Sequence, residues 1–112
     1  MTSLNFNEMK LTTLQENILL LLDLNVDHLI ICRNLSIKYI TLSKIIKTLQ
    51  HKNLIIDNKL SEKGRKMVHY INFRNKTISS FLNKINIKET NEIFNQMRTL
   101  DYKIIIALKN LC

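Results

Sequence analysis

The chain has 112 residues, 46% of them apolar, and carries 17 Lys and Arg against 9 Asp and Glu, a formal net charge of +8. The length suits one domain; 17 Ile and 18 Leu argue against intrinsic disorder, and one Gly with no Pro excludes collagen-like, mucin-like and flexible-linker compositions. The longest apolar runs, Ile18 to Leu22 and Ile104 to Leu108, are five residues each, against the roughly 20 that a bilayer span needs, so a soluble protein with no membrane partner is expected.

The opening MTSLNFNEMK has neither the basic start nor the apolar core of a secretory leader. Cys32 and Cys112 are too few and too far apart for a disulfide framework or a zinc site, so a reducing, cytoplasmic setting is expected. Ile, Asn and Lys together make 44 residues, the bias of AT-rich coding, which hints at a bacterial, phage or plasmid gene. Charge is concentrated in the middle of the chain. Residues 1–36 carry a net −2 and residues 85–112 a net +1, whereas residues 37–84 hold eleven cations against Asp57 and Glu62, a net of +9. A localised surface for a polyanion has this signature; a solvated lysine-rich face is the plainer alternative.

In chain order, residues 11–24 space Leu11, Leu14, Ile18, Leu21 and Leu22 as one helical face, with Thr12 or Thr13 as N-cap and Glu16 three to four residues on. Asn25 is a stop signal, and Asn25 or Asp27 caps a short second helix over 26–34, in which Leu29, Ile30, Cys32 and Arg33 mix core and surface positions. Leu35 and Ser36 make a tight connection to a third helix, 37–51, with Leu42, Ile45, Ile46 and Leu49 as its inward stripe. Asn53, tolerant of left-handed backbone, ends that helix. Residues 54–60 read as a very short hairpin turning at Asp57 and Asn58. Ser61 then caps a long helix to about Ile85, with Met67, Val68, Ile71, Ile78, Phe81, Leu82 and Ile85 as its stripe. Asn86 and Ile87 form a joint before a last helix over 88–111 that carries Ile93, Phe94, Met97, Leu100, Ile104, Ala107, Leu108 and Leu111.

The pair 26–34 and 37–51 has the layout of a helix-turn-helix, whose second helix enters the major groove while the first crosses the backbone. The inward stripe of helix 37–51 leaves Tyr39, Ile40, Ser43, Lys44, Lys47 and His51 outward, with Ser36, the expected N-cap, and Lys38 at its tip. Lysines suit guanine acceptors or phosphates, Ser and Tyr hydroxyls suit phosphates or base edges, and Ile40 suits a thymine methyl. The free amides of a helix N-terminus also attract phosphate.

The stretch LSIKYITLSKIIKTLQHKNLI, followed closely by LSEKGRKM, resembles winged-helix regulators of the MarR type. Their sequences run through a turn, a Ser/Thr-rich recognition helix, a Leu before an EKGLI-like strand, and an LTEKGR segment that opens the dimerisation helix. LTTLQ, opening the first helix, resembles the helix before that motif, and the likeness covers about residues 11 to 85. KLSEKGR is its most specific part: Ser61 caps a helix, Gly64 permits close backbone packing, and Lys63 and Arg65 sit beside the wing, where phosphate lies. The resemblance implies a mainly α, winged helix-turn-helix fold with a very short β-hairpin wing and long C-terminal dimerisation helices. Residues 11–60 would form the DNA-binding core, with the helix-turn-helix at 26–51 and the wing at 54–60, and residues 61–112 the helical dimerisation part. The chain departs from the family in its short wing, its short first helix, Lys38 where a capping Ser is frequent, and Asn53 in place of Gly.

The candidate DNA-binding residues are Ser36, Lys38, Tyr39, Ile40, Thr41, Ser43, Lys44 and Lys47, joined by Lys59, Lys63 and Arg65 near the hairpin. Leu4 and Phe6, with Phe94, Met97, Leu100, Ile104, Leu108 and Leu111, are the candidate interface of a homodimer; an intramolecular helical hairpin is the alternative for the last helix. A symmetric dimer would read half-sites roughly 10 bp apart or a multiple of that. The expected function is a sequence-specific, double-stranded DNA-binding transcription regulator, a dimeric repressor. The alternatives are a plasmid or phage adaptor that organises or segregates DNA through repeated sites, and a winged-helix module with an unidentified protein partner. No enzyme is expected, since there is no glycine-rich phosphate loop and no nucleophile elbow. No catalytic residue, metal or cofactor is assigned, because His28, His51 and His69 lack metal-ligand spacing. Cys32 reads as a buried, inert thiol, with redox sensing as its alternative.

Overall fold

The computed structural model describes Phe6 and residues 9–112, and among them the chain is mainly helical, with six helices and one two-stranded antiparallel hairpin. The order is α1 (Thr13–Asp23), α2 (His28–Leu35), α3 (Tyr39–His51), β1 (Ile55–Ile56), β2 (Lys59–Leu60), α4 (Glu62–Lys84), α5 (Asn91–Met97) and α6 (Tyr102–Leu111). Among the described residues no helix is long and apolar enough to cross a membrane.

Local chemistry sets the helix starts. Thr12 caps α1 in a reciprocal box: its hydroxyl accepts from the Gln15 amide at 3.1 Å, and the Gln15 side chain accepts from the Thr12 amide at 2.9 Å. Asp27 caps α2 by accepting from the Leu29 amide at 3.2 Å, and Ser61 caps α4 by accepting from the Gly64 amide at 2.9 Å.

The ends of α1 to α4 follow one rule, imposed by a sequence with a single glycine. Asn25, Ser36, Asn53 and Asn86 stand in left-handed backbone just beyond α1, α2, α3 and α4, with φ between 54° and 62°. The next amide in each case reaches back five residues: Val26 to the Leu21 carbonyl (3.1 Å), Ile37 to Cys32 (3.0 Å), Leu54 to Leu49 (3.0 Å) and Ile87 to Leu82 (2.9 Å). This is the Schellman closure, which satisfies carbonyls of the last turn and folds an apolar residue back over the helix end. Asn tolerates left-handed backbone better than other residues with a Cβ.

Two expectations about helix limits are corrected. Ser36 is not the N-cap of α3: its left-handed backbone closes α2, whereas an N-cap needs extended backbone. Helix α3 starts two residues later than expected, at Tyr39, with Lys38 at its cap position and no side-chain cap bond. The single helix expected over 88–111 is two helices, so of the long C-terminal helices only α4 is long. Thr90 caps α5, accepting from the Ile93 amide at 3.2 Å, and Asp101 caps α6, accepting from the Lys103 amide at 2.8 Å. Between them Arg98 turns inward instead of continuing a helical surface, bonding the Leu11 carbonyl at 2.9 Å.

Helix α4 runs through two apolar clusters. The larger gathers Ile18 and Leu19 of α1, Ile31 of α2, Leu42 and Leu49 of α3, Leu54 and Ile55, and Met67 and Ile71 of α4. The smaller is built on Ile78, Leu82 and Ile105, and Phe73 packs against both. On α1 the buried face is turned from the expected stripe: Leu19 is fully buried while Leu21 and Leu22 are half-buried. Ile85, expected in the core stripe, is exposed because it lies beyond the last turn of α4, as its C-cap.

Candidate nucleic-acid interface

Helices α2 and α3 are joined by three residues, Ser36, Ile37 and Lys38, and α3 packs inward through Leu42, Ile46 and Leu49. At 100° per residue those anchors leave one outward stripe. Ile40, Lys44, Lys47 and His51 are exposed along it, Ser43 borders it half-buried, and Tyr39 is exposed beside its start. Helix α3 contains no Asp or Glu, so Lys44 and Lys47 on its outward face have no carboxylate on their own helix to pair with. Thr41, also half-buried, sits at the edge, and the Thr48 hydroxyl is turned to its own helix, donating to the Lys44 carbonyl at 3.2 Å. Ser36 and Lys38 are exposed at the N-terminal tip of this stripe.

The hairpin is as short as a hairpin can be. Ile55 pairs with Leu60 and Ile56 with Lys59, and Asp57 and Asn58 turn with φ of 52° and 62°, the backbone of a two-residue type I′ turn. Its tip carries Asp57 next to Lys59 and is therefore neutral overall. The Ser61 hydroxyl donates to the Asn53 carbonyl at 2.5 Å, the Ser61 amide donates to Leu54 at 3.0 Å, and Arg65 donates to the Leu60 carbonyl at 3.3 Å. Gly64 completes the junction: a Cβ there would lie 2.1 Å from the Leu54 carbonyl oxygen, so α4 approaches the hairpin only because position 64 has no side chain. Lys59 and Arg65 are exposed, Lys63 is half-buried, and Lys66 pairs loosely with Glu62 at 3.7 Å.

The residues expected at a dimer interface fall into three groups. Phe94, Met97, Leu100 and Leu108 pack on the smaller cluster of their own chain, and Phe6 stacks on Tyr70 with ring centroids 4.3 Å apart. Ile104 and Leu111 are exposed. Leu4 lies outside the described residues. Cys32 is half-buried and Cys112 exposed. Among the described residues no group of three or more His, Cys, Asp or Glu is placed to hold a metal ion.

One buried charged cluster was not anticipated from the sequence. The Glu16 carboxylate of α1 accepts two hydrogen bonds from Arg74 of α4, both at 2.8 Å, and pairs with Arg98 at 3.0 Å. Arg74 also bonds the Asn75 side chain and lies over the Phe94 ring at 5.8 Å. The signal was present in the pattern: Arg74 occupies the place between Ile71 and Ile78 in the 3-and-4 spacing of the α4 stripe, where a charge demands a buried partner. These groups border a cavity of about 450 Å³ that Tyr70 also lines. Burial pushes the Tyr70 phenol above the usual tyrosine range, and the nearby Arg74 guanidinium opposes that shift.

Fold and surface together define a mainly helical protein with a minimal hairpin, whose helix α3 presents exposed Lys44 and Lys47 to solvent with no carboxylate on the same helix. No family model matches the chain, and no curated protein or solved structure matches it either.

Proposed function

We propose that the chain is a winged helix-turn-helix protein of the MarR type that binds double-stranded DNA and regulates transcription, with α3 as the helix that enters the major groove. The observation that carries this reading is the outward stripe of α3: Lys44 and Lys47 exposed on a helix without a carboxylate, with Lys38 at its tip. A three-residue turn holds that helix to α2, and Lys59 and Arg65, exposed on the hairpin and α4 next to the end of α1, are the further candidate phosphate contacts. The two-residue turn keeps the hairpin too short for minor-groove reading and leaves phosphate contact through Lys59 as the role of the wing. Two copies acting as a repressor would join through the exposed Ile104 and Leu111 and the neighbouring C-terminal residues.

The test is a titration of the full chain against the DNA upstream of its own gene and a random duplex of equal length, at several salt concentrations, with light scattering for the number of copies bound. Tight binding to the first with a high specificity ratio supports the regulator. Binding to neither duplex overturns it and moves a protein-interaction role to first place. A second reading, an adaptor that coats or organises DNA through repeated sites, is favoured by the shortness of the hairpin, which leaves α3 as the single base-reading element. Equal, steeply salt-dependent binding to both duplexes supports that second reading.

A further inference from the structure

The first turn of α3 carries an apolar group that nothing among the described residues covers. Ile40 is 61% exposed and Tyr39 55% exposed, although both open a helix whose outward face is otherwise Ser, Thr, Lys, Gln and His. A β-branched side chain in water contributes nothing to packing and is a poorer helix former than Ala, so neither stability nor propensity accounts for Ile40. Its neighbours on the stripe are Ser43 and Lys44 one turn on and Lys47 two turns on, and Lys38 precedes it. A surface so charged is complementary to a polyanion, and an apolar protein partner would have to strip water from those ammonium groups. The major groove of duplex DNA offers anionic walls together with one apolar group, the C5-methyl of thymine. Helix α3 has no Arg, Asn, Asp or Glu, the side chains that make most two-point contacts to guanine or adenine or accept from cytosine, and its Gln50 lies well round from Ile40 near the C-terminal end.

We propose that Ile40, flanked by Tyr39, reads thymine methyl groups, so that the preferred half-site places thymine opposite the first turn of α3. The proposal rests on the reading of α3 as the groove-entering helix. Ile40 is then the specificity-determining residue, and Lys44 and Lys47 supply affinity through phosphates or guanine.

The experiment uses the full chain to select duplexes from a random pool, then replaces each thymine of the selected half-site by deoxyuridine, which removes only the methyl group. Affinities are measured by fluorescence anisotropy for the unaltered protein, Ile40→Ala and Lys44→Ala. Loss of one buried methyl contact weakens binding about fourfold. The expected result is one or two thymine positions per half-site at which uracil costs the unaltered protein about fourfold. Ile40→Ala binds thymine and uracil duplexes equally at those positions, and Lys44→Ala binds more weakly overall yet keeps the discrimination. Ile40→Ala replaces an exposed side chain by the best helix former, so its melting temperature checks that it is folded. Tight selection of a duplex with no uracil effect, or a uracil effect undiminished in Ile40→Ala, overturns the methyl reading and leaves DNA binding standing. Failure to select or bind any duplex overturns both.

Discussion

Replacing Glu16 by Ala tests the buried charge cluster. The carboxylate is the only anion bonded to Arg74 and Arg98 among the described residues, and the side chains of Glu16, Arg74 and Arg98 are 7%, 3% and 11% exposed. Without it, two guanidinium groups face each other away from water. Removing one partner of a buried pair costs about 3–5 kcal/mol, a large part of the 5–15 kcal/mol that typically holds a domain folded. With an m-value near 1.5 kcal/mol/M in urea, that cost lowers the denaturation midpoint by about 2–3 M. Urea melts followed by circular dichroism at 222 nm read the loss. The sharper part is the second substitution: Arg98→Ala alone destabilises, by breaking its bonds to Glu16 and the Leu11 carbonyl, but added to Glu16→Ala it relieves the repulsion and is neutral or stabilising. If Glu16→Ala lies within 1 kcal/mol of the parent by that measure, or the two changes simply add, the cluster does not tie α1 to α4 and the α5–α6 turn as argued.

Gly64→Ala gains helix propensity yet forces a methyl against the Leu54 carbonyl, so the net loss is about 2–3 kcal/mol, read as a lower melting temperature; a variant as stable as the parent refutes the close approach. Lys44→Ala and Lys47→Ala each weaken DNA binding with no fall in melting temperature, because both ammonium groups are exposed, and each lost phosphate contact reduces the salt slope by about one. Unchanged affinity in both removes α3 from the interface. Burial raises the folded-state pKa of Tyr70 above its ordinary value of 10.0. Its neutral phenol therefore contributes stability that is complete below that value and is lost as the pH rises through the folded-state pKa. Absorbance titration at 295 nm should show a tyrosine ionising later than the rest, and Tyr70→Phe should abolish that late step.

Much of the helical layout was legible because its signals are local. Thr12, Asp27 and Ser61 announce helix starts, and Asn25, Asn53 and Asn86 announce stops, since a chain with one Gly must assign left-handed positions to Asn, Asp and Ser. Ser36 was misread because a hydroxyl at a short inter-helix link serves equally well, on sequence grounds, as the end of one helix or the cap of the next. Only its backbone, at φ 54°, decides between them. The break at 98–101 was hidden for a similar reason: apolar residues from Ile93 to Leu111 keep a helical rhythm across it, and it exists because Arg98 turns inward to Glu16 and Leu11.

The outward stripe of α3 was readable from periodicity alone, because Leu42, Ile46 and Leu49 leave one direction for Ile40, Lys44 and Lys47. Sequence by itself thus determined the element order through α4, the caps of α1, α2 and α4, and the lysines of the α3 face, each of which depends on residues within one or two turns of each other. The tertiary structure alone decided the pairing of Glu16 with Arg74 and Arg98, and the packing of Phe94, Met97, Leu100 and Leu108 onto their own chain. It also decided the seat of α4 against the hairpin at Gly64. Those contacts join residues up to 82 positions apart. Their energy comes from burying charge and apolar surface against a partner whose position local spacing does not encode.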